Sequence, residues 1–301
     1  MRRIVITGAT GFIGIHLINE WLKEDCEIYA VIRPKSPHAH RVPASDHVHL
    51  VELSMSEYDR LPAIVDKADC FYHLAWEGVR APLRDDKELQ EKNCDCALSA
   101  FRAATKIGCS FFLGSGSQAE YGATYGIVDE DYPCNPNTEY GRQKLHTYES
   151  IREMSESMGI NFIWTRIFSI YGPYDYPRSL VMSCIEKMRK NEHVDMTEGR
   201  QLWDYLYVED AAKAMKLFSE RACEDGVYIL ASGQYRQLRD YVTEIKQVMG
   251  SESELEFGAI PYGAEGPVNL TPSAQKIMKT LRWNPETAFS EGIRKIITWN
   301  L

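Results

Sequence analysis

Residues 2–21 read RRIVITGATGFIGIHLINEW, and the sense given to Gly8, Gly11 and Gly14 decides what kind of fold the chain has. Ile4, Val5, Ile6 and Thr7 favour β-structure, whereas Ile13, His16, Leu17 and Trp21 recur at helical spacing. The stretch reads as strand, tight loop, helix. A secretory leader is disfavoured, because it needs about 7–15 continuous apolar residues and Thr7, Gly8, Thr10 and Gly11 interrupt the run. The first N–H groups of a helix lack intrahelical partners and lie at the positive end of its dipole, so a pyrophosphate can rest there where glycines let it approach. An ordinary strand-to-helix turn accounts for the same glycines, so the motif needs support from elsewhere in the chain. A mononucleotide P-loop is disfavoured more firmly, since no Gly-Lys-Ser/Thr follows.

With 301 residues the chain is long enough for one large domain or two closely joined ones. Its net charge of −9 argues against a surface that tracks nucleic-acid phosphates, and no 18-residue apolar run is present to span a bilayer. Eight scattered cysteines form no CxxC pair and accompany no histidine cluster at metal-ligand spacing. Reduced thiols in a cytoplasmic protein without a metal are expected. Cys26, Cys70 and Cys109 lie in or beside strand-like runs and are assigned to core packing; Cys94 and Cys96 are assigned to a helix.

Strand-like runs recur at RIVIT, EIYAVI, HVHLVEL, CFYHLA, CSFFLGS and NFIWTRIF, separated by amphipathic stretches, clearest over 87–106 and 138–158. This alternation predicts an α/β fold, a doubly wound Rossmann-type parallel sheet, with ligands at the carboxyl ends of its strands. Beyond Gly172 the pattern loosens into Pro-rich turns and helices over 208–220, 238–249 and 286–299. The expected division is a dinucleotide-binding domain of 1–170 with the return of 204–235. A smaller C-terminal α/β substrate-binding domain then takes 171–203 and 236–301.

TEYGRQK places Tyr140 and Lys144 four residues apart on a predicted helix, on one face. A neighbouring ammonium favours phenolate, so the tyrosine is expected to titrate closer to working pH and to exchange a proton with a carbonyl or alcohol oxygen. Ser117, at the end of a strand, offers a hydroxyl to the same oxygen. Taken singly, each is ordinary: such a pair at helical spacing is usually a solvated face, and a serine after a strand is usually a turn.

In chain order, TGATGFIG (7–14), HLAW (73–76), Ser117 four before Tyr121, YGRQK (140–144), RIFSIYGP (166–173), WDYLYVEDAA (203–212) and LRWNP (281–285) resemble the extended short-chain dehydrogenase/reductase family. That group includes nucleotide-sugar epimerases, dehydratases and ketoreductases. The resemblance implies a dinucleotide pyrophosphate over Gly8, Gly11 and Gly14, with the N–H groups of Phe12 and Ile13 as donors. It further implies Leu74 and Ala75 lining the cofactor groove, Glu52 and Leu53 at the adenine, and Lys144 on the nicotinamide ribose. Ser117, Tyr140 and Lys144 become the catalytic set, and Ser169 and Arg200, with Ser117, the substrate contacts. A homodimer through the two long helices is also implied.

Three departures matter. Gln118-Ala119 stands where 4,6-dehydratases carry an Asp-Glu pair, which disfavours dehydration; Ser169 and Trp203 stand where many relatives have Asn and Arg. Arg33, 19 residues after Gly14, offers a guanidinium where an acid would select NAD, so NADP is expected, with NAD as the other possibility. The expected reaction is reduction of a nucleotide-linked 4-keto-6-deoxyhexose, with no nucleic acid or membrane partner. A 4-epimerase using the same residues and a non-catalytic dinucleotide sensor remain as alternatives.

Overall fold

A computed structural model describes residues 1–263 and 266–299. Positions 264 and 265 of the Pro-rich segment, and 300 and 301 of the expected second domain, lie outside the described residues. Two compact units are present: the first comprises 1–123, 132–167 and 212–228, the second 124–131, 168–211 and 229–301.

The first unit is built on parallel strands β1 (Arg2–Thr7), β2 (Cys26–Ile32), β3 (Val48–Glu52), β4 (Cys70–His73), β5 (Phe111–Ser117) and β6 (Asn161–Ile167). With the Gly226–Leu230 strand at one edge, the sheet order is Gly226–Leu230, β6, β5, β4, β1, β2, β3. This is the doubly wound α/β class predicted from the alternation. The strands are apolar almost throughout because helices cover both faces; Ile4, Val5, Ile6, Phe71, Tyr72, Phe112 and Ile163 are wholly buried.

Helix α1 (Phe12–Trp21) follows β1, α2 (Lys87–Ile107) follows β4, and α3 (Glu139–Met158) follows β5. Asp86 caps α2 by accepting from the Leu89 N–H, Thr138 caps α3 by accepting from the Gly141 N–H, and Gly108 and Gly159 end the two helices in the left-handed region. Such caps confine each helix to its amphipathic span. A cluster of Phe71, Phe101, Phe112, Phe162 and Trp164 fills the space beneath α2 and α3.

The second unit holds short strand pairs and helices Leu180–Arg189, Leu238–Met249, Gln275–Leu281 and Phe289–Trp299. Two differences from the sequence reading have local causes. The last helix begins at Phe289 rather than 286, because the Thr287 N–H donates instead to the Asp210 carboxylate at 2.9 Å. Residues Met55–Ala63, unassigned in the reading, form a 3₁₀ segment containing Pro62. All eight cysteines are free and six are buried, among them Cys26, Cys70 and Cys109, with Cys94 and Cys96 inside α2.

Candidate active site

In the sheet, β1 lies between β2 and β4, so the winding direction reverses beside it. Ligands of open α/β sheets bind in the crevice at such a reversal. A cavity of about 510 Å³ opens there, lined by Gly8, Thr10 and Gly11 after β1, Arg33 after β2, Leu53 after β3, and the run from Leu74 to Gly78 after β4.

The residues present fit a dinucleotide. Gly8 has φ +70°, and a Cβ there would lie 2.8 Å from the Ala75 nitrogen, while a Cβ on Gly14 would lie 2.3 Å from the Gly8 oxygen. The loop is therefore folded directly onto the start of α1. That helix has Gly11 as its N-cap, no capping side-chain bond and no acidic residue in its first turn, which leaves its positive end to an anion. Phe12 and Ile13 are its first two residues. Leu53, Leu74 and Ala75 line the cavity; Glu52 is exposed at the end of β3 and is not among the lining residues. Arg33 reaches the cavity rim and pairs with Glu77, Nη1 to Oε1 3.2 Å.

Ser117 ends β5. Its N–H donates to Glu120 Oε1 at 2.7 Å, and its hydroxyl accepts from the Ala119 N–H at 3.2 Å. Glu120 is wholly buried and binds Arg166 Nε through Oε2 at 2.7 Å, so an internal ion pair holds the serine in place. Tyr140 and Lys144 occupy successive turns of α3. The Ser117 side chain is first among the groups that pull the Tyr140 phenol down against its burial. Lys144 is 2% exposed; its Nζ donates to the Ser115 carbonyl at 2.6 Å and lies 3.7 Å from the centre of the Trp76 ring.

One electrostatic expectation is corrected. The sequence reading has Lys144 drawing the Tyr140 phenol down, but burial pushes that phenol above its ordinary value, and the groups pulling back are Ser117, Arg84 and Arg80. The Lys144 ammonium faces Ser115 and Trp76, with the Tyr140 ring centre 5.9 Å away. Burial lowers Lys144 itself to about 7, against the opposing pull of Glu120.

Ser117, Tyr140 and Lys144 are thus brought together in the first unit. Ser169 and Arg200 belong to the second. The Ser169 carbonyl accepts from the Leu206 N–H, while Arg200 is exposed and pairs with Glu198 at 3.1 Å. The reading passed over Trp76 as a side chain, Gln90, Arg84 and Glu120. HLAW carried the tryptophan in plain view, but nothing in spacing alone connects it to Lys144, 68 positions on.

Comparison with known proteins agrees with this architecture. The sequence profile described as "NAD dependent epimerase/dehydratase family" matches residues 4–231. The chain belongs to that family. Similar proteins include CDP-abequose synthase of Salmonella muenchen, 22% identical over 99% of this chain and 97% of the relative. The dTDP-6-deoxy-L-talose 4-dehydrogenase (NAD(+)) of Aggregatibacter actinomycetemcomitans is 24% identical over 80% of this chain and 88% of its own. Among solved structures, UDP-glucuronic acid 4-epimerase from Bacillus cereus, in complex with UDP-glucuronic acid and NAD, superposes with a TM-score of 0.85. It is 21% identical, over 99% of this chain and 98% of that one, and establishes the shared fold. No helix among the described residues of this family member is long and apolar enough to cross a membrane.

Proposed function

We propose that this epimerase/dehydratase family member is an NADP-dependent reductase acting at C4 of a nucleotide-linked 4-keto-6-deoxyhexose. The observation that carries the reading is the meeting of Ser117, Tyr140 and Lys144 at the carboxyl end of β5 and the start of α3, in the same unit as the anion-ready loop after β1. When bound, the dinucleotide supplies the hydride for the sugar carbon. Gly8, Gly11 and Gly14, with the N–H groups of Phe12 and Ile13, hold its pyrophosphate; Leu53, Leu74 and Ala75 line its groove, and Lys144 holds the ribose. Ser117 donates a hydrogen bond to the sugar carbonyl oxygen and Tyr140 gives that oxygen its proton. The first unit is then the dinucleotide domain, and the second, with Ser169 and Arg200, the substrate domain.

The absence of an acidic pair at Gln118-Ala119 supports reduction over water elimination, and the name of the talose 4-dehydrogenase relative supports chemistry at C4 of a 6-deoxy sugar. Arg33 supports NADP, because a guanidinium suits a 2′-phosphate. A 4-epimerase retaining NAD is the second reading. Glu77 is the observation in its favour, since its carboxylate already neutralises Arg33.

The deciding experiment incubates the protein with NADPH and a panel of CDP-, dTDP- and UDP-linked 4-keto-6-deoxyhexoses, following absorbance. In parallel, nucleotide-linked hexoses without added cofactor are followed by NMR. Stoichiometric NADPH oxidation is the expected result; interconversion of 4-epimers by the protein with its own retained nucleotide would overturn the reductase reading.

A further inference from the structure

The Lys144 ammonium is buried yet meets few oxygens. Among the described residues, the Ser115 carbonyl at 2.6 Å is its one hydrogen-bond acceptor, although an ammonium carries three donors. Its other close neighbours are aromatic. The Trp76 ring centre lies 3.7 Å from Nζ, against 5.7 Å for Trp164 on β6 and 5.9 Å for Tyr140 on its own helix. A cation over an indole face is attracted by the ring quadrupole, the more so where water is excluded. Nζ therefore rests on Trp76, while the other two rings stand a layer back.

The indole is held from behind. Trp76 Nε1 donates to Gln90 Oε1 at 2.8 Å, and Gln90, wholly buried on α2, donates in turn to the carbonyls of Gly78 and Leu83, each at 2.9 Å. Both carbonyls belong to the segment between β4 and α2 that carries Trp76 itself, so the ring cannot swing away without breaking an internal network. Its edge meets Tyr140, with ring centres 6.1 Å apart and planes at 82°. The same indole lines the cavity at the ends of β1 and β4, next to Leu74 and Ala75. One side chain thus touches the lysine, the tyrosine and the dinucleotide cavity.

We propose that Trp76 is the positioning residue of the catalytic set: its indole face, locked by Gln90, seats the Lys144 ammonium and keeps it charged. It acts through Lys144, and the proposal rests on the reading of Lys144 as a member of that set. The surroundings of the ammonium show why a seat matters. Burial lowers Lys144 to about 7, against the pull of Glu120 from the turn after β5 and of Cys94 from α2. His73, at the end of β4, is itself lowered to about 3 by burial and by the lysine, so it faces Lys144 as a neutral ring. With the balance this close to neutrality, the indole decides whether the ammonium persists at working pH.

The test follows the Lys144 resonance by NMR across pH in protein labelled with ¹³Cε-lysine, assigned by its disappearance in Lys144→Met. Trp76→Leu should lower the midpoint by at least about one unit, a tenfold loss of proton affinity. Trp76→Phe, which keeps an aromatic face, should fall by less than half as much. Site-specific 5-fluoro- and 5,7-difluorotryptophan at position 76 drain the face of charge at nearly constant shape, so the midpoint should fall stepwise along that series; it decides the matter where Trp76→Leu does not fold. The sign separates the two roles. Loss of a merely structural wall would wet the lysine and raise its midpoint towards 10.5, because burial is what depresses it. A raised or unmoved midpoint in folded Trp76→Leu, or a flat fluorinated series, overturns the proposal. No substrate or cofactor enters the titration, so failure to oxidise NADPH with any keto sugar would sink the reductase reading while the resonance still decides the role of Trp76.

Discussion

Replacing Glu120 probes how the active-site serine is held. The side chains of Glu120 and Arg166 are 0% and 4% exposed; Glu120 also accepts from the Ser117 N–H and from Trp164 Nε1 at 3.1 Å. Glu120→Gln keeps an acceptor for both neutral donors but strands the guanidinium, and breaking one side of a buried pair costs about 3–5 kcal/mol. Glu120→Ala also orphans the Ser117 N–H and Trp164 Nε1, a loss of about 1–3 kcal/mol more for the first of them alone. At about 2 °C per kcal/mol for a chain of this size, the expected falls in melting temperature are roughly 6–10 °C for Gln and roughly 8–16 °C for Ala. Turnover should fall in both, since Ser117 loses its anchor or its neighbour's charge. Adding Arg166→Met to Glu120→Gln removes the stranded charge and should recover at least half of the loss. Differential scanning calorimetry on the three variants decides it. If Glu120→Gln melts within about 1 °C of the wild type, or the double variant melts below the single one, the buried pair is not what holds this corner.

Tyr140→Phe should retain cofactor affinity while turnover on the true substrate falls at least about a hundredfold, and unchanged turnover would remove Tyr140 from the acid–base role. Arg33→Ala should weaken NADPH selectively in fluorescence titrations, and equal losses for NADPH and NADH would reduce Arg33 to a surface partner of Glu77. Lys144 binds fewer protons in the native state than in the unfolded chain between about 7 and its ordinary 10.5. Its burial cost is therefore full below that window and relaxes as pH rises through it. Urea midpoints of the wild type should climb relative to Lys144→Met from pH 7 upward, and parallel courses would contradict the shift.

The fold was legible because its signals are local. Strand-favouring runs, capping residues such as Asp86 and Thr138, and the terminal glycines of α2 and α3 each act within a few positions, and the hydrophobic period does the rest. The glycine loop was legible for the same reason. What escaped were pairings across the chain: Trp76 with Lys144, Arg84 with Tyr140, Glu120 with Arg166. No single-sequence period links positions 46 or 68 residues apart, and the electrostatic balance at Tyr140 depends on which way each ammonium and guanidinium faces. The Tyr-Lys spacing correctly put both residues on adjoining turns but said nothing of the carbonyl and indole that occupy the lysine.

The distribution of cysteines turns the molecule into its own recorder of partial opening. Cys184, 2% exposed, is the one thiol in the second unit, while Cys26, Cys70 and Cys109 lie deep in the first. Burial raises Cys184 to about 11 and Cys109 to about 12, so each stays protonated and shielded until its surroundings part. Labelling with a thiol reagent under native conditions, read by peptide mass, therefore keeps separate time for the two units. Adding a dinucleotide or a nucleotide sugar would slow one clock or the other, and so say which unit each ligand grips.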